Sequence, residues 1–470
     1  MRKLLLILVV LPACTVFGQQ RKHVQHIGWR GSNIELHSIS DKSKQQVCSV
    51  LLKYDSIRGF LLTGNIEYQQ SFTLPRKPNE NMLGGFFRDG KIFLFLDNGG
   101  EDGLHCWTID PTTGSALENI IPFDLKREKI IDRISCGDHF LYFTANKKTS
   151  EFIIHDFTSE SKFTTTRHAF DEGWWQDLTR ARGFSRAIDV EKIDFEGDCS
   201  VEVAATSNKI YVRNDSLFLL MNAQNGITRI FSFDLPGQTV AQRTVTHAVP
   251  AMTPGKPGAF ADNSYLLKDK LYYVYATLDS LGLEVIDFNT GKTLRSYRTG
   301  RGEDIPFKNT ALMQEGGAYS SNAKRELDKT RQLLRKMVTG DAVVVATLNS
   351  KGQVALTIGS YKKISTGGGG GRWTTAGVGS PGNVPTMVYI PTGGFARSAW
   401  TKSAYFKMLM DADTHEHVEG NMGASINEKI EQYTKGLKIP MEAENLFVYN
   451  GAYYYAYYNK EERKLSLVQF

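Results

Sequence analysis

Beyond its N-terminus the chain has no run approaching 18 consecutive uncharged apolar residues, which excludes a transmembrane helix there. Cysteine is scarce, five in 470 residues, widely and irregularly spaced and without a C-x-x-C, a pattern that argues against a zinc site. Charge of one sign is also missing. Lys plus Arg number 56 and Asp plus Glu 50, and a formal charge of +6 is too weak for a nucleic-acid partner, which needs cations clustered on one face rather than a small net excess. Two catalytic signatures are absent. Ser380 lies in GVGSPG, where a nucleophile elbow would need glycine at Val378, so a serine peptidase is disfavoured. The run Gly367 to Gly371 is followed by Arg372 and Trp373 rather than Lys and Ser or Thr, so it is no phosphate loop.

What is present points to strands. The chain is 41% hydrophobic and 23% charged, with 26 phenylalanines and 20 tyrosines concentrated in short apolar runs that 43 glycines and 14 prolines punctuate. Residues 1–18 run from Arg2 and Lys3 through Leu4 to Pro12 and small residues near Val16 and Gly18, the order of a secretory signal. An exported protein, periplasmic or extracellular, is expected. Cleavage there removes two positive charges, so the formal +6 falls to +4. Leu11, Pro12, Ala13 and Cys14 also fit a lipoprotein box, and the alternative is a chain anchored to the outer membrane by lipid on Cys14. Cys48, Cys106, Cys136 and Cys199 then remain, an even number that permits disulfides without demanding them; buried free thiols are the other reading.

A polar turn, an apolar strand, a loop and a second strand ending in Asp recur along the chain. The first half appears at Asp89-Gly90, Gly137-Asp138, Asn214-Asp215, Lys268-Asp269, Gly340-Asp341 and Asn450-Gly451. The second half ends at Asp110, Asp156, Asp234, Asp287 and Asp411, whose carboxylates are suited to fixing the hairpin turn by accepting the N–H two residues on. The closest equivalent positions are 46 to 54 residues apart, room for four short strands.

That unit resembles one blade of a β-propeller, and the chain from residue 34 to 470 resembles the propeller superfold, although WD dipeptides and kelch-type glycine pairs are absent. The resemblance implies an all-β fold with short helical insertions on one face. Units are read near 82–125, 130–170, 206–250, 260–300, 338–365, 384–420 and from 444, a count of seven with six as the alternative. Residues 19–33 form an N-terminal segment ahead of a single domain, 34–470. The last unit has room for three strands, so a strand from between Ile34 and Leu62 is expected to close the ring. A membrane barrel is the competing reading of the C-terminal aromatic. It fails on alternation, because Lys464, Ser466 and Val468 share a strand face with Phe470.

Extra length falls at 171–205, 301–339, 366–383 and 421–443, between units, and in a propeller such connections emerge on one face. These insertions and the loop 391–403 carry Trp174, Trp175, Arg180, Arg182, Arg186, Arg372, Trp373, Arg397 and Trp400. Exposed Trp and Arg suit recognition of sugar faces and acidic groups. The alternative is a lid in which the tryptophans make their own small core. Ser321 to Met337 reads as a cationic helix with Leu327, Leu334 and Met337 inward, a solvated face rather than a lipid-binding one; Ser425 and Glu428 form a capping box before a stripe of Ile426, Ile430, Tyr433 and Leu437.

Asp411, Asp413, His415 and His417 have metal-ligand types on a strand-like alternation, but they align with an ordinary hairpin turn, and no metal is assigned. Asp97, Asn98, Glu101 and Asp102 offer clustered oxygens, so calcium is the one cofactor considered. Glu172, Asp177, Glu303, Asp304 and Glu315 are the loop carboxylates from which an acid and base would come. No catalytic motif is found. The expected function is therefore a non-catalytic, exported propeller binding a glycan, peptide or cell-envelope protein; the alternatives are an enzyme acting on extracellular polysaccharide and a structural envelope component.

Overall fold

A computed structural model describes residues 19–29, 33–41, 45–97, 103–125, 127–171, 173–179, 188, 190–194, 199–213, 215–224, 226–250, 260–316, 324–363, 401–437 and 441–470. Within them the fold is an all-β propeller of seven four- or five-stranded sheets with four short helices.

Strand β1 is Gln20–His26. The first sheet in chain order holds β2 to β5, at Glu35–Asp41, Gln46–Lys53, Ser56–Thr63 and Tyr68–Pro75. The second holds β6 to β9, at Met82–Arg88, Lys91–Asp97, Leu104–Ile109 and Ala116–Ile121. The third holds β10 to β13, at Lys129–Cys136, His139–Asn146, Glu151–Phe157 and Phe163–Ala169. Helix α1, Gly173–Leu178, precedes β14, Val190–Asp194, and α2, Val201–Ala204. Strand β14 joins the fourth sheet in parallel beside β15 to β18, at Asn208–Arg213, Ser216–Gln224, Ile227–Asp234 and Thr239–Thr246.

The fifth sheet holds β19 to β22, at Phe260–Leu267, Lys270–Thr277, Ser280–Asp287 and Thr293–Gly300. Strands β23, Met313–Gly316, and β24, Lys324–Glu326, come next, followed by α3, Thr330–Thr339. The sixth sheet runs β25–β26–β27–β23–β24, where β25 is Asp341–Leu348, β26 Val354–Lys363 and β27 Thr401–Met410. Helix α4, Ile426–Leu437, leads to β28, Met441–Tyr449, then β29, Ala452–Asn459, and β30, Lys464–Gln469. These three pair with β1 in the order β1–β30–β29–β28.

The inner strands are largely buried on both faces while outer strands such as β13 and β22 are mostly exposed, so the apolar clusters are layers between sheets rather than one central core. Leu52, Leu61 and Phe72 meet Phe87, Leu94 and Trp107 between the first two sheets. Phe95 meets Phe140 and Phe157 between the second and third, and Phe143 and Phe152 meet Phe231 and Phe233 between the third and fourth. Tyr211 accepts the N–H of Leu266 at 3.0 Å, and Asn263 donates to the carbonyl of Ala342 at 2.7 Å, joining the fourth, fifth and sixth sheets. Ile426 and Ile430 of α4 cover Tyr455, Tyr457 and Val468 of the last sheet, while Lys407 of the sixth reaches Glu428 of α4 at 3.0 Å. Leu36 and Val47 meet Ala456 and Leu467, which completes the ring of contacts.

Three details differ from the sequence reading. The closing strand is β1, from residues 19–33, and not a strand between Ile34 and Leu62. That latter region is itself a sheet, in which Asp41 pairs Gln46 across the first hairpin and Lys53 pairs Ser56 across the second. Conversely, 338–365 and the described part of 384–420 are one sheet, because β27 pairs with β26 along ten positions. Its outer strand comes from the preceding insertion: β23 lies beside β27, and Asn309 donates its N–H to the carbonyl of Lys407 at 2.8 Å. The insertion 301–339 is thus partly blade.

Candidate functional site

Within a sheet of four antiparallel strands the first and fourth end at opposite poles, so the chain leaves and re-enters every unit at the same pole. The turns at the opposite pole are short and fixed by the recurring aspartates. Asp110 Oδ1 accepts the Thr112 N–H at 2.8 Å, Asp287 Oδ1 that of Thr290 at 2.8 Å, and Asp411 Oδ1 those of Asp413 and Thr414 at 3.0 and 2.8 Å. These bonds favour the ionised carboxylates and hold all three below the usual range. Asp156 differs, bonding the ring of His139 at 2.9 Å. The longer connections gather at the first pole, where α1, β14, α2, β24, α3 and α4 lie between units.

The candidate recognition residues fare unequally there. Trp174 is 1% exposed and Trp175 9%, so neither presents a free ring, and the expectation of an exposed aromatic pair is corrected. Trp174 packs 4.2 Å from Phe152 and 5.4 Å from Trp175, filling the layer between the third and fourth sheets. The reason is positional: α1 is a single short turn laid across that layer, and Asp177 anchors it to Arg229 at 3.0 Å. Arg180, Arg182, Arg186, Arg372, Trp373, Arg397 and Trp400 lie outside the described residues. Their flanks are informative, since Lys363 and Thr401 are partners in register, so residues 364–400 leave and return at one point of the first pole.

Of the loop carboxylates, Glu172 lies outside the described residues. Asp177 is paired as above, Glu303 accepts the N–H of Gly300 at 2.9 Å, and Asp304 is bonded to Lys308. Glu315 is held by Lys324 at 2.8 Å and by the Tyr405 hydroxyl at 3.0 Å. The metal-type residues do not converge: His417 Nε2 bonds Asn309 at 3.1 Å, His415 sits at φ 58 in the turn, and no group of three ligand-type residues forms among the described residues. Asp97 takes both the N–H and the side-chain amide of Asn81, at 2.7 and 2.9 Å, while Asn98, Glu101 and Asp102 lie outside the described residues.

Sequence reasoning missed a set of buried polar networks. His105 lies between Glu80 at 2.7 Å and Glu118 at 2.6 Å. One repeat later His155 lies 2.7 Å from Glu128 and 3.0 Å from Thr165. In both, a glutamate just before the first strand meets a histidine on the third and a polar residue on the fourth. The recurrence of Glu80 and Glu128, and of His105 and His155, at about the repeat spacing was the available signal.

A third network runs Glu284, His247, Thr228, with His247 stacked on Tyr273 at a centroid distance of 3.4 Å. Its residue order is that of a nucleophilic triad. Thr228 is fully buried, however, closed from any substrate, and its hydroxyl also bonds Asn222 at 2.7 Å. This network joins the fourth and fifth sheets. A small, shallow cleft framed by Asp156, Thr164, His168, Asp234 and Gln238 opens at the opposite pole, between the third and fourth sheets.

The comparisons with known proteins add a general likeness only. No family model matches, and no curated protein matches. Among solved structures, the WD40 domain of SCAP from fission yeast aligns over 95% of this chain and 97% of that one, at 9% identity and a TM-score of 0.30. A mutant apocarotenoid oxygenase from Synechocystis aligns over 59% of this chain at 6% identity and a TM-score of 0.32. That alignment spans 64% of the oxygenase. Likeness at this level carries nothing about chemistry.

Proposed function

We propose that this chain is an exported β-propeller serving as a binding module, which takes a glycan, a peptide or a cell-envelope protein at the pole where its long connections gather. The observation that carries this reading is the asymmetry between the poles. One consists of short turns clamped by Asp110, Asp287 and Asp411, and the other receives α1, α2, α3 and the segment 364–400. Long connections on a rigid scaffold are where recognition residues accumulate, because they vary without disturbing the sheets. With Trp174 and Trp175 buried, recognition falls to Arg180 and to the segment bearing Arg372, Trp373, Arg397 and Trp400. Trp and Arg there supply large contact area and bidentate hydrogen bonding at low entropic cost.

The test is a glycan array and an envelope-extract pull-down with the mature protein, repeated with Trp373→Ala and Trp400→Ala. The reading expects a specific ligand whose binding falls at least tenfold in one variant. Retention of full binding by both variants would remove the proposed surface.

A further inference from the structure

We propose that Arg325, Lys336, Lys362 and Lys402 form a site for a multiply charged oxyanion, a phosphate or sulfate ester, at the rim of this same pole. The inference rests on the binding role above and gives it a chemistry.

Four separate elements bring these cations together. Lys362 near the end of β26 and Lys402 near the start of β27 are direct cross-strand partners, so both side chains leave the same face of the sheet. Like charges in that arrangement repel. The last turn of α3 then adds a third: a Cβ placed on Gly340 would lie 3.2 Å from the carbonyl of Lys336 and 3.4 Å from the Cβ of Lys362, and Lys336 lies beside Lys402 with Arg325 and Arg335 close by. Arg325 comes from β24, where its guanidinium donates to Gln314 at 3.0 Å.

Two nearby carboxylates are engaged elsewhere. Glu315 is engaged by Lys324 and Tyr405, and Glu202 pairs with Lys363 at 3.4 Å. Lys336, Lys362 and Lys402 have no carboxylate partner among the described residues. The C-terminal end of α3 offers about half an elementary negative charge, enough to offset one cation in part but not four. Burial, together with Lys402 and Arg325, presses the Lys336 ammonium down to about 8, the behaviour of a cation lacking a counter-charge.

A solvated cationic face, the reading that the sequence of α3 supports, describes Lys329, Arg331 and Arg335, which are exposed, as are Arg325 and Lys362 at the edge of the group. Lys336 and Lys402 are half-buried. A scaffold gains nothing from that convergence. An oxyanion with two or more negative charges would satisfy it, since ammonium and guanidinium donors form charge-assisted hydrogen bonds to its oxygens.

The experiment is calorimetric titration of the mature protein with pyrophosphate and with sulfate, against sodium chloride at matched ionic strength, repeated with the double variant Lys336→Gln/Lys402→Gln. Saturable binding of a divalent oxyanion that weakens at least tenfold in the double variant is expected. In the absence of anion that variant should melt no lower than the parent, because the substitutions relieve repulsion. Equal binding by parent and variant, or heat reproduced by chloride, overturns the proposal. A heparin-derived sulfated tetrasaccharide and a phosphorylated monosaccharide then distinguish the two sources, and the site is refuted if neither competes with pyrophosphate. Glycan binding that depends on Trp373 or Trp400 while pyrophosphate fails to bind would refute this site and leave the binding role standing.

Discussion

His105 Nδ1 lies 2.7 Å from Glu80 Oε1, and both side chains are almost completely buried. The contact ties the residue that leads into β6 to the start of β8, and Glu118 of β9 closes it from the other side at 2.6 Å. Burial opposes the charged imidazole, but Glu80 and Glu118 outweigh it and raise the His105 pKa above its ordinary value. A raised folded-state pKa contributes stability that is complete below about 6.5, the unfolded value, and disappears as pH rises through the folded value. His105→Gln should therefore cost about 3 kcal/mol in urea unfolding at pH 5.5, because it strands a buried carboxylate, and less at pH 9. An equal cost at both pH values would show that His105 acts by packing alone.

Asp132 has the opposite sign. Burial pushes its carboxyl up to about 6, against the pull of Lys192 on β14 and of Arg133 beside it. An acid with a raised folded-state pKa binds more protons folded than unfolded, so stability falls as pH rises from about 4 to 6 and stays reduced above. Asp132→Asn keeps an acceptor for the Arg133 N–H, now at 2.8 Å, and should stabilise the protein by about 1–2 kcal/mol at pH 7. At pH 3.5 the difference should vanish, which thermal melts at the two pH values will show.

Two glycines make room for rings across a strand pair. A Cβ on Gly59 would sit 2.0 Å from the Phe72 ring, and one on Gly282 would sit 2.1 Å from the Tyr275 ring; each pair is directly in register. The ring fills the space that the missing side chain leaves above the sheet. Gly59→Ala should displace Phe72 from its layer and cost about 1–3 kcal/mol by chemical denaturation. The double variant Gly59→Ala/Phe72→Leu should recover part of that loss. A Gly59→Ala variant as stable as the parent would mean that the ring moves freely.

Trp174 gives a sharp test of its reassignment from ligand contact to core. Its ring lies against Phe152 and Trp175 and is closed from solvent. Trp174→Ala should lower unfolding free energy by about 3–5 kcal/mol, and Trp174→Phe by much less. Ligand binding by folded Trp174→Phe should match the parent. Loss of binding without loss of stability would restore the residue to the site.

Much of the wheel was legible because its grammar is local. Asp89-Gly90 and Asn450-Gly451 both adopt left-handed backbone, at φ 50, 80, 49 and 74, as a tight hairpin requires, and Asp110, Asp287 and Asp411 make the turn bonds their spacing suggests. The Ser425 and Glu428 box is reciprocal, at 3.2 and 2.8 Å. Long-range pairing was not legible. Nothing local tells that β23 crosses to β27, or that β2 to β5 make a complete sheet of their own. The site was the least readable part, because Trp174 looks identical in sequence whether α1 turns it outward or into the layer beneath. The cationic group shares that obscurity: Lys336, Lys362 and Lys402 become neighbours only through the register of β26 and β27 and the placement of α3.

Ring closure depends on seven residues far from everything else in sequence. Gln20 to His26 pair with Lys464 to Gln469, Arg21 donates to the Tyr457 hydroxyl at 3.0 Å, and the N–H of Ile27 reaches the carbonyl of Arg463 at 2.9 Å. Without β1, strand β30 would present a row of unpaired N–H and carbonyl groups over an apolar sheet, a template for pairing with another chain. Deleting residues 20–26 should therefore lower the unfolding midpoint and produce concentration-dependent dimers or larger species by light scattering. A synthetic peptide of the sequence QRKHVQH added in excess should shift the population back toward monomer by occupying the vacant edge. A deletion variant that stays monomeric with an unchanged midpoint would mean that the last sheet holds together through β28, β29, β30 and the cover of α4 on Tyr455 and Tyr457 alone.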